Sequence, residues 1–314
     1  MTGLPIIFLG TTVIDTVIVL KSPIVFGGKQ SAKCIHHSIG GNAFNAYKAC
    51  SSLLSSSSSC KVITKVGCDA DGDEIEAALH GSGSVVIRAA DKLRRTVTST
   101  IIVDGDQRTC ISSPHSERVE SLTVGEVHAL EPAFLEALVA SDCRHIEATI
   151  FAADSGATLM IDLEHRQSAA SDRPLIGEVI RRARYAKVDR AYLEEFYDNE
   201  MDSFARVGEN LEWFVVTDGE RGCILQLIKP KRRFEFGVLP LGASTVVDST
   251  GAGDAFLAAM AACVSKGIDE IRTIKLATLA AGITCQTMGG FADIGSLCNN
   301  NNAKEREIDV VEIV

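Results

Sequence analysis

The chain has 314 residues, 46% of them hydrophobic, and a formal net charge of −10. It can therefore bury a sizeable core as a single domain spanning 1–314. The acidic balance argues against a nucleic-acid or anionic-membrane partner, since either needs a basic footprint, and no apolar run approaches the ~20 residues of a spanning helix. Ten cysteines without CxxC pairs or zinc-type spacing read as reduced thiols and small buried side chains. No charged-then-apolar leader precedes the first strand, so a cytoplasmic location is expected.

The first elements read as strands, Ile6–Leu9 and Val13–Leu20. Asn42 to Leu54 reads as a helix, with Ala43, Phe44, Ala46, Tyr47, Cys50, Leu53 and Leu54 at helical spacing. Five serines, Ser55 to Ser59, read as a surface loop before a strand at Lys61–Val66. Two strands, Thr96–Val103 and Arg108–Ser112, follow as a hairpin turning at Asp104 and Gly105. A hairpin cannot bury a face alone. It is therefore expected to join Val13–Leu20 and Ala32–His37 in a small second sheet, drawn from about 13–38 and 96–113.

Beyond the hairpin, Thr123 and Glu126 have capping-box spacing. Strands are expected at His145–Phe151, Thr158–Leu163 and Trp213–Thr217, and two helices at about Ala252–Lys266 and Asp269–Thr287. Asn299 to Asn302 and the residues after them read as a loop and a short acidic end. The alternation of strands and helices predicts an α/β fold: a Rossmann-like three-layer sandwich with a mostly parallel central sheet, plus the small β-sheet as a lid.

The segment STVVDSTGAGDAF, Ser244 to Phe256, carries the clearest chemistry. Val246 and Val247 read as the end of an apolar strand, after which the chain turns through Gly251 and Gly253 into a helix. Glycines beside a helix start let the backbone approach an anion closely and leave N–H groups pointing outward. Asp254 falls in the first turn, where the helix dipole favours its ionised form, and a carboxylate there can take a proton from an attacking hydroxyl. The same residues also suit an ordinary capped helix. Neither a GxGxxG fingerprint nor a GxxxxGK[ST] loop is present.

DSTGAGDAF resembles the C-terminal signature of the ribokinase-like (PfkB) carbohydrate kinases. SIGGNAFNAYKACSSL resembles the family's N-terminal signature, and VVTDGERG its VTxGxxG loop beside the ATP phosphates. Order and spacing agree over nearly the whole chain. HIEATIF, IDLEHR and AGITCQTMGGFADI are similar to the IHIEGRN, VEVEKPR and AGKKCG…GFDGI segments of the ketohexokinase-like branch, the last with one extra residue here.

The resemblance implies an ATP-dependent kinase acting on a hydroxyl of a small sugar, fructokinase- or ketohexokinase-like. Asp254 would be the catalytic base and Gly251, Ala252 and Gly253 the anion hole. It implies sugar contacts at Asp15, Gly41, Asn42 and Asn45, with Arg108 reaching in from the lid and Glu147 as a weaker candidate from the HIE match. ATP would meet Thr217, Gly219 and Gly222 at its phosphates and Thr278, Ala281 and Gly282 at its adenine, although small residues there also serve helix packing. Mg²⁺ is expected with ATP, and K⁺ is a candidate at Asp248 and Thr250.

One departure from the family pattern concerns its NxxE motif, where this chain has Asp189 and Tyr192. That leaves the Mg²⁺ contacts unassigned, with Asp162 and Glu164 as candidates that no motif supports. Exposed lid edges suggest a homodimer. The alternatives are a nucleoside or sugar-phosphate kinase on the same fold, or a nucleotide- or sugar-binding regulator with weak turnover.

Overall fold

The computed structural model describes residues 3–54, 60–104, 107–114, 117, 119–164, 173–240, 246–295, 297 and 308–313. Its first strands are β1 (Ile6–Leu9), β2 (Val13–Leu20), β3 (Ala32–Gly40), β4 (Cys60–Val66), β5 (Val85–Arg88), β6 (Thr98–Asp104) and β7 (Gln107–Ser112). The rest are β8 (Leu138–Ser141), β9 (Thr158–Leu163), β10 (Tyr185–Asp189), β11 (Trp213–Thr217), β12 (Cys223–Leu227), β13 (Arg232–Phe236) and β14 (Val310–Ile313). The earlier helices are α1 (Asn42–Leu53), α2 (Ala70–Leu79), α3 (Val124–Val127), α4 (Glu131–Phe134) and α5 (Ile146–Asp154). The later ones are α6 (Arg173–Arg182), α7 (Arg190–Tyr197), α8 (Met201–Val207), α9 (Ala252–Ser265) and α10 (Glu270–Thr284).

Among the described residues the strands form two sheets. The larger runs β14-β13-β12-β11-β10-β9-β8-β1-β4-β5 and is parallel from β11 to β5, with an antiparallel margin at β12, β13 and β14. Its strands are apolar on both faces because helices cover both. In β1, Ile6 and Phe8 join the core under α1, α9 and α10, whereas Ile7 and Leu9 join the core under α5 to α8. Trp213 and Val215 against Phe214 and Val216 repeat that alternation in β11. This is the three-layer α/β sandwich expected. The smaller sheet, β3-β2-β6-β7, unites the two stretches assigned to the lid. From β1 the chain builds β4 and β5 on one side, then returns to lay β8 on the other. In open α/β sheets such a reversal opens a crevice at the carboxyl ends of the strands.

Three local expectations are overturned. His145–Phe151 is not a strand: Ile146–Asp154 is helix α5, and the buried strand is the preceding Leu138–Ser141. Ala148 and Ala152 lie one helical turn apart and both reach the core. Val246 and Val247 do not end a strand; both are exposed. They lie on the crossing from the antiparallel margin back to the centrally packed α9, anchored by the Val247 N–H donating to the Cys285 carbonyl at 2.8 Å. The C-terminal tail is also more than an acidic end. Val310–Ile313 pairs with β13, and Arg232 grips Glu312 with two bonds of 2.7 and 2.8 Å. Gly105, the serines from Ser55 to Ser59, Ser244 and Asn299 to Asn302 lie outside the described residues.

Candidate active site

A cavity of about 560 Å³ lies where the lid sheet faces the crevice. The glycine pair before α1 shapes one wall. A Cβ on Gly40 would sit 2.0 Å from the Asp15 carboxylate, and Gly41 has φ +92° with its Cβ position 2.5 Å from the Thr11 carbonyl. Gly41 must therefore be glycine, and a side chain at Gly40 would push the Asp15 carboxylate, on β2, from its place beside the start of α1. Asp15, Gly41, Asn42 and Asn45 all line the cavity, so these four of the sugar contacts expected from sequence are gathered in one place. Burial raises the Asp15 pKa, against the hydrogen bond from Ser99 and the charge of Arg108.

Asn45 is no solvated helix residue. It is 4% exposed, its amide donates to Asp254 at 2.9 Å, and its carbonyl oxygen is buried with no partner among the described residues. A buried acceptor without a partner costs about 1–3 kcal/mol, and a hydroxyl entering the cavity can relieve it.

Asp254 is the third residue of α9, whose N-cap is Gly251 at φ +72°. A Cβ on Gly251 would meet the Gly290 carbonyl at 1.7 Å, so this turn also demands glycine. The Gly253 and Asp254 N–H groups have no acceptor among the described residues, as befits the open first turn of a helix. The expectation that the helix dipole keeps Asp254 readily ionised is outweighed. Burial, then the Glu164 carboxylate, raises its pKa well above the ordinary range, against the hydrogen bond from Asn45.

Beneath Gly253 lies an ion pair that sequence reading missed. Lys187 on β10 stands directly beside Asp162 on β9, its ammonium 2.7 and 2.8 Å from the two carboxylate oxygens, with Glu164 at 3.9 Å. Both partners are buried. The Asp162 pKa is pushed up to about 7 by burial, against the pull of Lys187. Opposite charges at matching places in two apolar strands, TLMIDL and YAKVD, were the available signal. Asp162 is thereby engaged and does not face the cavity, whereas Glu164 does. Asp189 and Tyr192 are engaged elsewhere. Asp189 caps α7 by accepting from the Tyr192 N–H at 2.5 Å, and the Tyr192 ring is buried.

From the lid, Arg108 lines the cavity and reaches Asp248 at 3.4 Å. Arg144, in the turn after β8, also lines it and was not singled out from the sequence. Its guanidinium has only Asp142, at 3.8 Å, among the described residues. Glu147 falls in the first turn of α5, exposed and away from the cavity lining. HIEATIF runs into helix α5, and the residue of the β8–α5 turn that lines the cavity is Arg144.

The model for the pfkB family of carbohydrate kinases matches residues 5–294. The chain belongs to that family. Solved ribokinases share the fold at low identity. That of Giardia lamblia superposes with a TM-score of 0.80 at 18% identity, covering 94% of this chain and 99% of its own. The Thermotoga maritima enzyme gives 0.73 at 20%, with 95% and 100% covered. The Arabidopsis thaliana enzyme, solved with ribose and ATP, gives 0.70 at 20%, with 95% and 98% covered. No curated protein sequence matches the chain.

A pfkB kinase must hold ATP as well as sugar, and the positions assigned to ATP lie outside the cavity lining. Thr217 ends β11, and Gly219 and Gly222 have φ of +55° and +87° in the turn that follows. A Cβ on Gly222 would strike the Phe236 carbonyl at 2.0 Å. On α10 the Thr278 hydroxyl donates to the Ile274 carbonyl at 2.9 Å, Ala281 is half-buried, and Gly282 abuts Leu239. The Thr278 hydroxyl is thus engaged within α10 and Gly282 allows Leu239 to pack closely, while Gly219 keeps open space around its Cβ position.

Proposed function

We propose that this pfkB carbohydrate kinase transfers the γ-phosphoryl group of ATP to a hydroxyl of a small ketose-like sugar, with Asp254 as the base. The observation that carries the reading is the convergence of Asp254, Asn45 and Asp15 on one cavity beside the open first turn of α9. Asp15, Asn42 and Asn45 would orient vicinal hydroxyls. Asp254 would take the proton of the attacking oxygen, and the N–H groups at Gly251, Ala252 and Gly253 would receive the charge of the transferring phosphoryl. The open Gly219 turn would accommodate the nucleotide phosphates. Mg²⁺ neutralises charge on the β- and γ-oxygens when bound. Among the described residues no three His, Cys, Asp or Glu side chains gather to hold a metal, so the ion would enter with ATP.

Release of ADP, followed across ketoses, aldoses, nucleosides and sugar phosphates, tests the reading together with Asp254→Asn. The variant should lose about 10³-fold or more in kcat while still binding ATP. Turnover within about tenfold of the parent would remove Asp254 from the role of base. Arg144 favours one second reading, a sugar substrate bearing an anionic group, because a guanidinium at the cavity wall with one distant counter-ion suits a phosphate or carboxylate. A preference for neutral ketoses in the same panel argues against it.

A further inference from the structure

The surroundings of Asp248 oppose a monovalent cation at Asp248 and Thr250. A bound cation needs oxygen lone pairs turned towards it, and an ionised carboxylate offers about four acceptor positions. At Asp248 three protein donors converge on Oδ1, more than its two positions, and a fourth takes one of the two on Oδ2. Oδ1 accepts from the Thr250 N–H at 2.9 Å, from the Thr250 hydroxyl, and from Arg108 Nη1 at 3.4 Å; Oδ2 accepts from the Gly289 N–H at 3.1 Å. The Thr250 hydroxyl spends its proton on Asp248, and one of the four donors is itself a cation.

That set of bonds joins three separate stretches of chain. Asp248 stands three residues before Gly251, the N-cap of α9. Gly289 precedes Gly290, whose carbonyl presses on Gly251. Arg108 comes from the lid, on β7. The positive charge in this set is thus supplied by one side chain from the opposite sheet, while Thr250 and Gly289 supply the other bonds.

We propose that Arg108 is the built-in cation of the Asp248 site, so that the loop leading into α9 needs no monovalent metal ion and depends on the lid instead. The turnover arm of the test rests on the kinase reading above; the stability arm does not. The full chain is compared with Arg108→Gln and Arg108→Lys in potassium, sodium and tetramethylammonium chloride at equal ionic strength. Arg108 is partly exposed on a surface hairpin, so both variants should fold.

The parent and Arg108→Lys should keep one thermal midpoint in all three salts, to within about 1 °C. Arg108→Gln, left with an uncompensated Asp248, should be stabilised by potassium, and its ATP-dependent turnover should rise about threefold or more with it. Potassium stimulation or stabilisation of the parent would overturn the proposal, as would an Arg108→Gln variant indifferent to salt. Failure of every sugar in every salt would instead count against the kinase reading, with the midpoints still deciding the cation question.

Discussion

At Asp254 the field of the helix start and the cost of burial pull in opposite directions. The side chain is 6% exposed and faces Glu164, so its proton is held more tightly than in an ordinary carboxylate. A base must be ionised to act. kcat/KM should therefore fall as pH drops through the Asp254 pKa, with the acid limb on the alkaline side of the usual carboxylate range. Glu164→Gln removes the largest neighbouring negative charge and should move that limb to lower pH. A limb that stays still or moves upward would show that Glu164 does not set it. The sequence could place Asp254 in a first turn, but not Glu164 beside it. Those two residues are 90 positions apart, and only the arrangement of β9 against α9 brings them together.

Short polar fixings decide how the elements meet. Asp69 caps α2 through the Gly72 N–H at 2.9 Å and also receives the Thr96 N–H at 2.8 Å and the Thr96 hydroxyl at 2.6 Å. It thus ties a helix of the main body to the base of the lid, two residues before β6. Burial alone would raise its pKa, but the Thr96 and Gly72 bonds hold it below the ordinary value. A depressed folded-state pKa contributes stability above the unfolded value that is lost as pH falls through the folded one. Asp69→Ala should cost about 1–2 kcal/mol by urea unfolding at neutral pH. Its deficit against the parent should shrink below pH 4, and an equal deficit at every pH would leave the carboxylate's charge without a part in it.

The elements also differed in how plainly they could be read. Ile6–Leu9 and Trp213–Thr217 were legible because length and β-branched content agree. Leu138–Ser141 was not: four buried residues have no period, and the apolar side chains of Ile146, Ile150 and Phe151 drew the strand assignment downstream to His145–Phe151.

At the scale of the whole molecule, the larger sheet is sealed by helices on both faces, whereas the lid is left open. Its edges, β3 and β7, pair with nothing further among the described residues. Ile35 and Ile111 are more than half exposed on those edges, and Phe26 is 90% exposed in the connection between β2 and β3. Unpaired strands with apolar side chains invite a second copy or another cover. We expect a homodimer through the lid. Sedimentation across micromolar concentrations should give twice the mass of the chain, and Phe26→Asp together with Ile35→Asp should return it to a monomer. A parent that stays monomeric would exclude this assembly.

Sequence by itself determined the fold class, the hairpin's need for a second sheet, and the two glycine-bounded helix starts. These follow from local rules of periodicity, turn geometry and positive φ, which the chain states residue by residue. Tertiary structure alone decided that Asn45 is buried against Asp254 and that Lys187 is locked to Asp162 under Gly253. It alone decided that Arg108 meets Asp248 and that Arg144, not Glu147, reaches the cavity. Each of those is a contact between distant segments, fixed by strand order and by burial, and charge and hydrogen-bond demand become specific only once water has been excluded from around them.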